Sequence, residues 1–381
     1  DVGSNKTVSV GTLALADGSN GGLAANYTLS GGTHQLTVNQ RPLNATLSRQ
    51  YDGTTTAAGS TLSSFDALQG GETLTMTGSG TAASANVANG ITMSSNGNLA
   101  LANGTGTASN YSLNSTVINI AKRVLTSSGS KTYDANTNAL AADITLGNLV
   151  SGETLNHSGT ATIGSANAGS YTITNLSGIS IADNAGSASN YTLTGGTHGF
   201  TVNPKVVSIQ GNKTYDGNTT ISSGNITSIT GTVGSETLVI SGGSGTVSSA
   251  NAATYASAGI NEGTLTLGNG TNGGLASNYT LTGHAASSFQ VTQRVLSSSG
   301  SRIYDGSTTA SSSDLTLSNL VGSETLTLSG NGTLANANVG TNKSVTLNTL
   351  SIADGTNGGL AANYNLIGGT HQLTVTQRVV N

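Results

Sequence analysis

The sequence predicts an all-β protein, a tandem array of small antiparallel Ig-like β-sandwich modules forming an elongated rod. Short runs alternate polar and apolar residues, as in Thr73-Leu74-Thr75-Met76 and Thr325-Leu326-Thr327-Leu328, the period of a half-buried strand. Clusters of Gly, Asn and Ser punctuate the gaps between such runs, where turns need residues tolerant of unusual backbone angles. The same pattern also returns along the chain at an interval of 82 residues. That is too long for one solenoid coil of roughly 20–50 residues, so separate modules are expected.

The 381 residues carry only 7% charged side chains and a net charge of −4. Disordered chains of low hydrophobicity are usually highly charged, so folded modules are expected. Cysteine is absent, which excludes disulfides, thiolate metal sites and thiol catalysis. No apolar run approaches the roughly 18 residues that span a bilayer. Asp1-Val2-Gly3-Ser4 does not read as a signal peptide, and suggests an internal stretch of a longer chain.

Three markers define the repeat. A Tyr-Asp pair followed by a small residue occurs at Tyr51-Asp52, Tyr133-Asp134, Tyr215-Asp216 and Tyr304-Asp305, with intervals of 82, 82 and 89 residues. Glu-Thr-Leu begins at Glu72, Glu153, Glu236 and Glu324, and Asn-Tyr places tyrosines at 27, 111, 191, 279 and 364. Residues 1–41 match the stretch ending at Arg378, so the chain reads as the C-terminal half of a repeat (1–41) followed by repeats at 42–123, 124–205, 206–294 and 295–381, the last with the start of another. No linker separates them: Phe289-Gln290-Val291-Thr292 runs almost directly into Val295-Leu296. Such junctions restrict hinge motion.

Within 206–294, strands are expected around Val206–Ile209, Ile226–Ile229, Thr237–Ile240, Gly263–Leu267, Tyr279–Leu281 and Phe289–Val291. Lys213-Thr214-Tyr215 should lead into a turn at Asp216-Gly217, where Asp accepts from backbone N–H groups and Gly tolerates positive φ. With few aromatics, Tyr215 and its equivalents, Tyr304 included, are expected as core anchors. Each small core is marginal alone, and packing against neighbouring modules should supply the remainder.

Lys213-Thr214-Tyr215-Asp216-Gly217-Asn218-Thr219-Thr220, a mid-repeat Gly-Ser-Glu-Thr-Leu and a late Ala-Ser-Asn-Tyr-Thr-Leu before a Thr-Val strand together resemble YDG/MBG-type repeats. Such repeats occur in large secreted bacterial adhesins of the filamentous-haemagglutinin-like, two-partner secretion class. The resemblance covers the whole chain and departs at Ala135, where Gly is expected, and at Thr282-Gly283-His284. It implies an extracellular stalk at the bacterial surface or in a biofilm matrix, and it transfers no catalytic or ligand residue.

The functional alternatives are weaker. One Asp per loop supplies too little charge for calcium, so Asp52, Asp134, Asp216 and Asp305 are expected to cap turns. Glu72 and Asp52 recur together in every repeat, and fit a structural link better than the carboxyl pair of a glycosidase. His34, His198, His284 and His371 precede the closing strand and are expected at the surface or between modules. Asn-x-Ser/Thr sequons at Asn26, Asn110, Asn190 and Asn278 offer possible glycan sites. The net negative charge argues against nucleic acid. No catalytic residue, metal site or cofactor is expected, and no ligand residue is assigned. The expected partners are other modules of the same chain, surface or matrix glycans, or further copies of the chain. Two functions follow: a spacer projecting a binding region, or a self-assembling filament built from the repeats.

Overall fold

A computed structural model describes residues 1–380. Among them every regular element is a strand or a three-residue 3-10 turn. The chain divides into two compact units, one of Asp1–Gly129, Asn138–Gly164 and Thr172–Phe200, the other of Ser130–Thr137, Ser165–Tyr171 and Thr201–Asn381.

The fourth repeat shows the plan. Its opening strand, Ser297–Ile303, is second from one edge of a six-stranded sheet, between the edge strand Leu315–Ser318 and the closing strand His371–Thr376. Gly340–Thr346, Asn331–Leu334 and Thr309–Ser311 complete that sheet beyond the closing strand. Leu326–Ser329 and Ser351–Asp354 pair separately. Side chains alternate along the strands, so that Leu373 and Val375 are buried with Leu296, Ala310, Leu315 and Leu334. In the first repeat Leu43, Ala45 and Leu47 of Arg41–Gln50 face inward with Ile118 and Ile120 of Tyr111–Ala121.

Most neighbours are antiparallel, as expected, with one correction. The opening and closing strands of each repeat run parallel: Arg41–Gln50 beside Tyr111–Ala121, 130–132 beside 201–203, Ser208–Thr214 beside Ser288–Thr292, and Ser297–Ile303 beside His371–Thr376. A parallel pair needs a crossover of a dozen or more residues. The rest of the repeat provides it.

Residues 1–41 keep the pairing of a second half-repeat. Gly3–Thr7 lies antiparallel to Gln35–Val38, with Gly3 opposite Val38 and Lys6 opposite Leu36, as Gly340 lies opposite Val375 and Lys343 opposite Leu373. No opening strand covers this half within the chain, and Leu13, Tyr27 and Leu36 are exposed.

Candidate functional site

The Tyr-Asp loop begins where the opening strand ends. The backbone N–H of Tyr215 still bonds to the carbonyl of Thr292 in the closing strand, and Asp216 then turns the chain. Its Oδ1 accepts from the N–H of Asn218 at 3.1 Å and from Lys213 Nζ at 2.9 Å. Asp52, Asp134 and Asp305 likewise accept from the N–H two residues on. Burial pushes the Asp134 and Asp216 carboxyls up, but the lysine three residues earlier and the backbone N–H outweigh it, and both lie below the usual carboxylate range.

The cation under the turn varies with its partner. Lys131 and Lys213 each meet the carbonyl and the side-chain oxygen of Asn136 and Asn218. Where Arg49 and Arg302 stand instead, Thr54 and Ser307 replace the asparagine, and the guanidinium bonds the same carbonyls without a side-chain oxygen from that position. The asparagine oxygen gives the compact ammonium an extra acceptor that the guanidinium fork does without.

The tyrosine itself leaves its own repeat. Tyr51 Oη donates to Glu153 Oε1 of the next repeat at 2.5 Å, and Tyr191 Oη donates to Oε2 of the same carboxylate at 2.5 Å. Tyr133 and Tyr279 grip Glu236 at 2.8 and 2.5 Å, and Tyr215 and Tyr364 grip Glu324, both at 2.7 Å. In each clamp the two rings meet edge to face, with centroids 5.4, 5.3 and 5.4 Å apart, an attractive geometry for aromatic pairs. The inner phenols also accept a backbone N–H, from Val150, Val233 and Val321. The carboxylate therefore sits between two donors, and each inner phenol is satisfied both as donor and as acceptor.

Burial, with help from the glutamate, pushes the Tyr191, Tyr215, Tyr279 and Tyr364 phenols up to about 12. Tyr51 and Tyr133 move the same way for the same reasons. Phenols held so firmly protonated serve as hydrogen-bond donors near neutral pH, not as bases.

A second latch lies beside each clamp. Asn190 Oδ1 accepts from Val87 N–H at 2.9 Å while its Nδ2 donates to Asn86 Oδ1 at 3.0 Å. Asn278 repeats this with Ala168 and Asn167, and Asn363 with Ala252 and Asn251. Close packing completes the junction. A Cβ on Gly53 or Gly217, both at φ 78°, would stand 2.9 or 2.8 Å from Val150 or Val321. The hydrophobic core follows the clamp: Tyr51, Leu155 and Tyr191 belong to one buried cluster with Leu47, Met76 and Ile120.

The YDG domain family matches residues 33–118, 121–198, 201–288 and 290–373, one segment for each Tyr-Asp loop. The chain belongs to the YDG domain family. No curated protein matches it.

Several expectations for these YDG repeats need correction. Tyr304, expected as an anchor, is 39% exposed, against 4% for Tyr215, because no repeat within the chain follows to offer a glutamate and a second ring. Glu72 is not linked to Asp52. It accepts from Tyr111 Oη in its own repeat, and Asp52 pairs with Arg49. His198 and His371 are buried inside their repeats, neither on the surface nor between modules. Their Nδ1 atoms meet Ser127 and Ser298 at 2.9 and 2.8 Å, and their Nε2 atoms meet the carbonyls of Leu193 and Leu366. In the third repeat Ser287 is buried and bonds Ile209 N–H, while His284 lies against Glu262 at 2.5 Å. Asn190 and Asn278 are buried latch residues, so their sequons are closed to glycans in the folded chain.

Among the described residues no group of three or more His, Asp or Glu side chains could hold a metal ion. Among them too, no helix is long and apolar enough to cross a membrane.

Proposed function

We propose that these YDG repeats are the non-catalytic stalk of a secreted bacterial surface or biofilm-matrix adhesin, spacing a binding region away from its anchor. The observation that carries this reading is the Tyr–Glu–Tyr clamp, formed at three successive junctions with no linker between repeats. A site built for catalysis or ligand binding does not need three copies that each consume their own polar groups. A spacer does, since every joint must resist bending.

The parallel opening and closing strands support an extended path. The chain enters a repeat at one end of that strand pair and leaves at the other, whereas an antiparallel pair would return it to the same end. Each repeat is read as a small Ig-like sandwich, with beads roughly 35 Å long at about 3.3 Å per strand residue. Four and a half of them in line span on the order of 150 Å, whereas a compact globule of this length has a radius of gyration near ~21 Å. Small-angle scattering on the purified chain should give about twice that radius. A compact value sinks the stalk, and concentration-dependent fibres would favour the filament built from these repeats instead.

A further inference from the structure

We propose that each repeat is a mechanical clamp that carries tension along the chain in shear. Its biological use rests on the stalk reading, but the clamp is a property of each repeat alone. The argument begins with direction. Tension enters a repeat at the N-terminal end of its opening strand and leaves at the C-terminal end of its closing strand. Because those strands are neighbours and parallel, the pull slides one along the other. Every ladder hydrogen bond then lies across the slide and resists together. An antiparallel terminal pair would be peeled apart one bond at a time.

The ladders differ in length. In the first repeat ten residue pairs run from Arg41–Tyr111 to Gln50–Ala121 on one continuous pair of strands, interrupted by one bulge between Leu113 and Ser115. The fourth has eight, two at Arg294–Tyr364 and Val295–Asn365 and six from Ser298–His371 to Ile303–Thr376, and the third has two and five. In the second, three pairs join 130–132 to 201–203, preceded by Ser127–His198 and by two pairs at Arg123–Tyr191 and Val124–Thr192. One further bond extends each ladder at the motif tyrosine, from the N–H of Tyr51, Tyr133, Tyr215 or Tyr304 to the closing strand. One face of each ladder is also covered: Leu47, Ile118, Ile209, Phe289 and Leu373 on these strands are buried, so water reaches a strained bond from the other face only. Forced unfolding is governed by the unfolding barrier, which a cooperative, half-covered ladder raises.

The chain has no cysteine, so pairs of introduced cysteines define where a single molecule is held. Three versions of the full chain are compared, each first shown to melt like the parent. Val295→Cys with Gln377→Cys pulls the fourth repeat in shear. Val295→Cys with Thr370→Cys holds the two strands at their shared end and peels them. Gln40→Cys with Lys122→Cys shears the first repeat. The expected order of unfolding force is first repeat in shear, then fourth repeat in shear, then the peeled fourth repeat severalfold lower. Equal forces in shear and peeling would overturn the clamp, and so would a first repeat weaker than the fourth. A compact solution shape with this force order would remove the stalk and leave the clamp standing.

Discussion

Residues 1–41 and 338–378 are nearly the same sequence in two settings, identical at 29 of 41 positions. In the fourth repeat Tyr364 is 2% exposed and Leu373 fully buried, while their equivalents Tyr27 and Leu36 are 69% and 56% exposed. The strand pairing within the two halves is the same. The difference is the opening half, 295–337, which lies over one and has no counterpart in the chain over the other. These side chains are core residues only by company. Local sequence draws the strands, but the first half of a repeat decides whether they have an inside.

The same contrast holds one level up, between Tyr215 and Tyr304, and it yields the largest expected effect. Both end an opening strand and precede an Asp-Gly turn, but only Tyr215 meets a following glutamate and ring. Tyr215→Ala should cost about 3–5 kcal/mol, as large aromatic truncations do. Tyr304→Ala should stay within about 0.5 kcal/mol, as at an ordinary surface position. Chemical denaturation of the two variants decides it. Similar losses would mean that the tyrosine serves its own repeat, and the junction reading would fail.

Next in size is the carboxylate. Glu324→Gln leaves one acceptor oxygen and one amide donor for two phenols that both donate. Tyr364 already takes the Val321 N–H on its oxygen, so Tyr215 is the phenol that must turn to accept from the amide. Two hydrogen bonds to a charged group become neutral ones, a loss of roughly 1–2 kcal/mol. Combined with Tyr215→Phe, the loss should be less than additive, since both changes break the same contact. Strict additivity in that cycle would show that the phenol and the carboxylate are not coupled.

How much of this the sequence revealed depends on distance along the chain. The strands and the Asp turns come from residues a few positions apart, and the repeat period from recurrence of the same motif, so all three were legible. The clamp was not, because Tyr51 meets Glu153 at a separation of 102 residues, longer than the repeat itself. Reading by repeat pairs Glu72 with Asp52 in its own module, which is the wrong partner. One Tyr-Asp tyrosine, one glutamate and one Asn-Tyr tyrosine per repeat was the available signal, since one carboxylate accepts from two phenols. The parallel terminal strands were hidden for another reason: alternation gives a strand's face, not its direction.

A smaller effect, confined to alkaline pH, sharpens the comparison between clamped and unclamped rings. With folded values near 12 for Tyr191, Tyr215, Tyr279 and Tyr364 against about 10 unfolded, folding favours the protonated phenols. Their contribution is complete below about pH 10 and is lost as pH rises through 12. Phenolate absorbance should show a late-titrating class that appears together with loss of strand signal in circular dichroism. Complete ionisation by pH 11 in a still-folded chain would contradict the clamp.

The smallest expected effect has the opposite sign and lies two residues before Ile118 and Phe200, at equivalent places in the closing strands. In the second repeat that place holds His198, bonded on both ring nitrogens. In the first it holds Thr116, 5% exposed, whose hydroxyl is buried without a partner. A buried, unpaired hydroxyl costs about 1–3 kcal/mol relative to a satisfied one. Valine has the same branched outline without the polar atom, so Thr116→Val should raise stability by about 1 kcal/mol. Ser298→Ala in the fourth repeat is the counterpart, stranding Nδ1 of buried His371, and should lower stability by about 1–3 kcal/mol. Denaturant melting of both variants reads the two signs directly. Destabilisation by Thr116→Val would mean that the hydroxyl has found a partner, and the two repeats would then solve this layer in the same way.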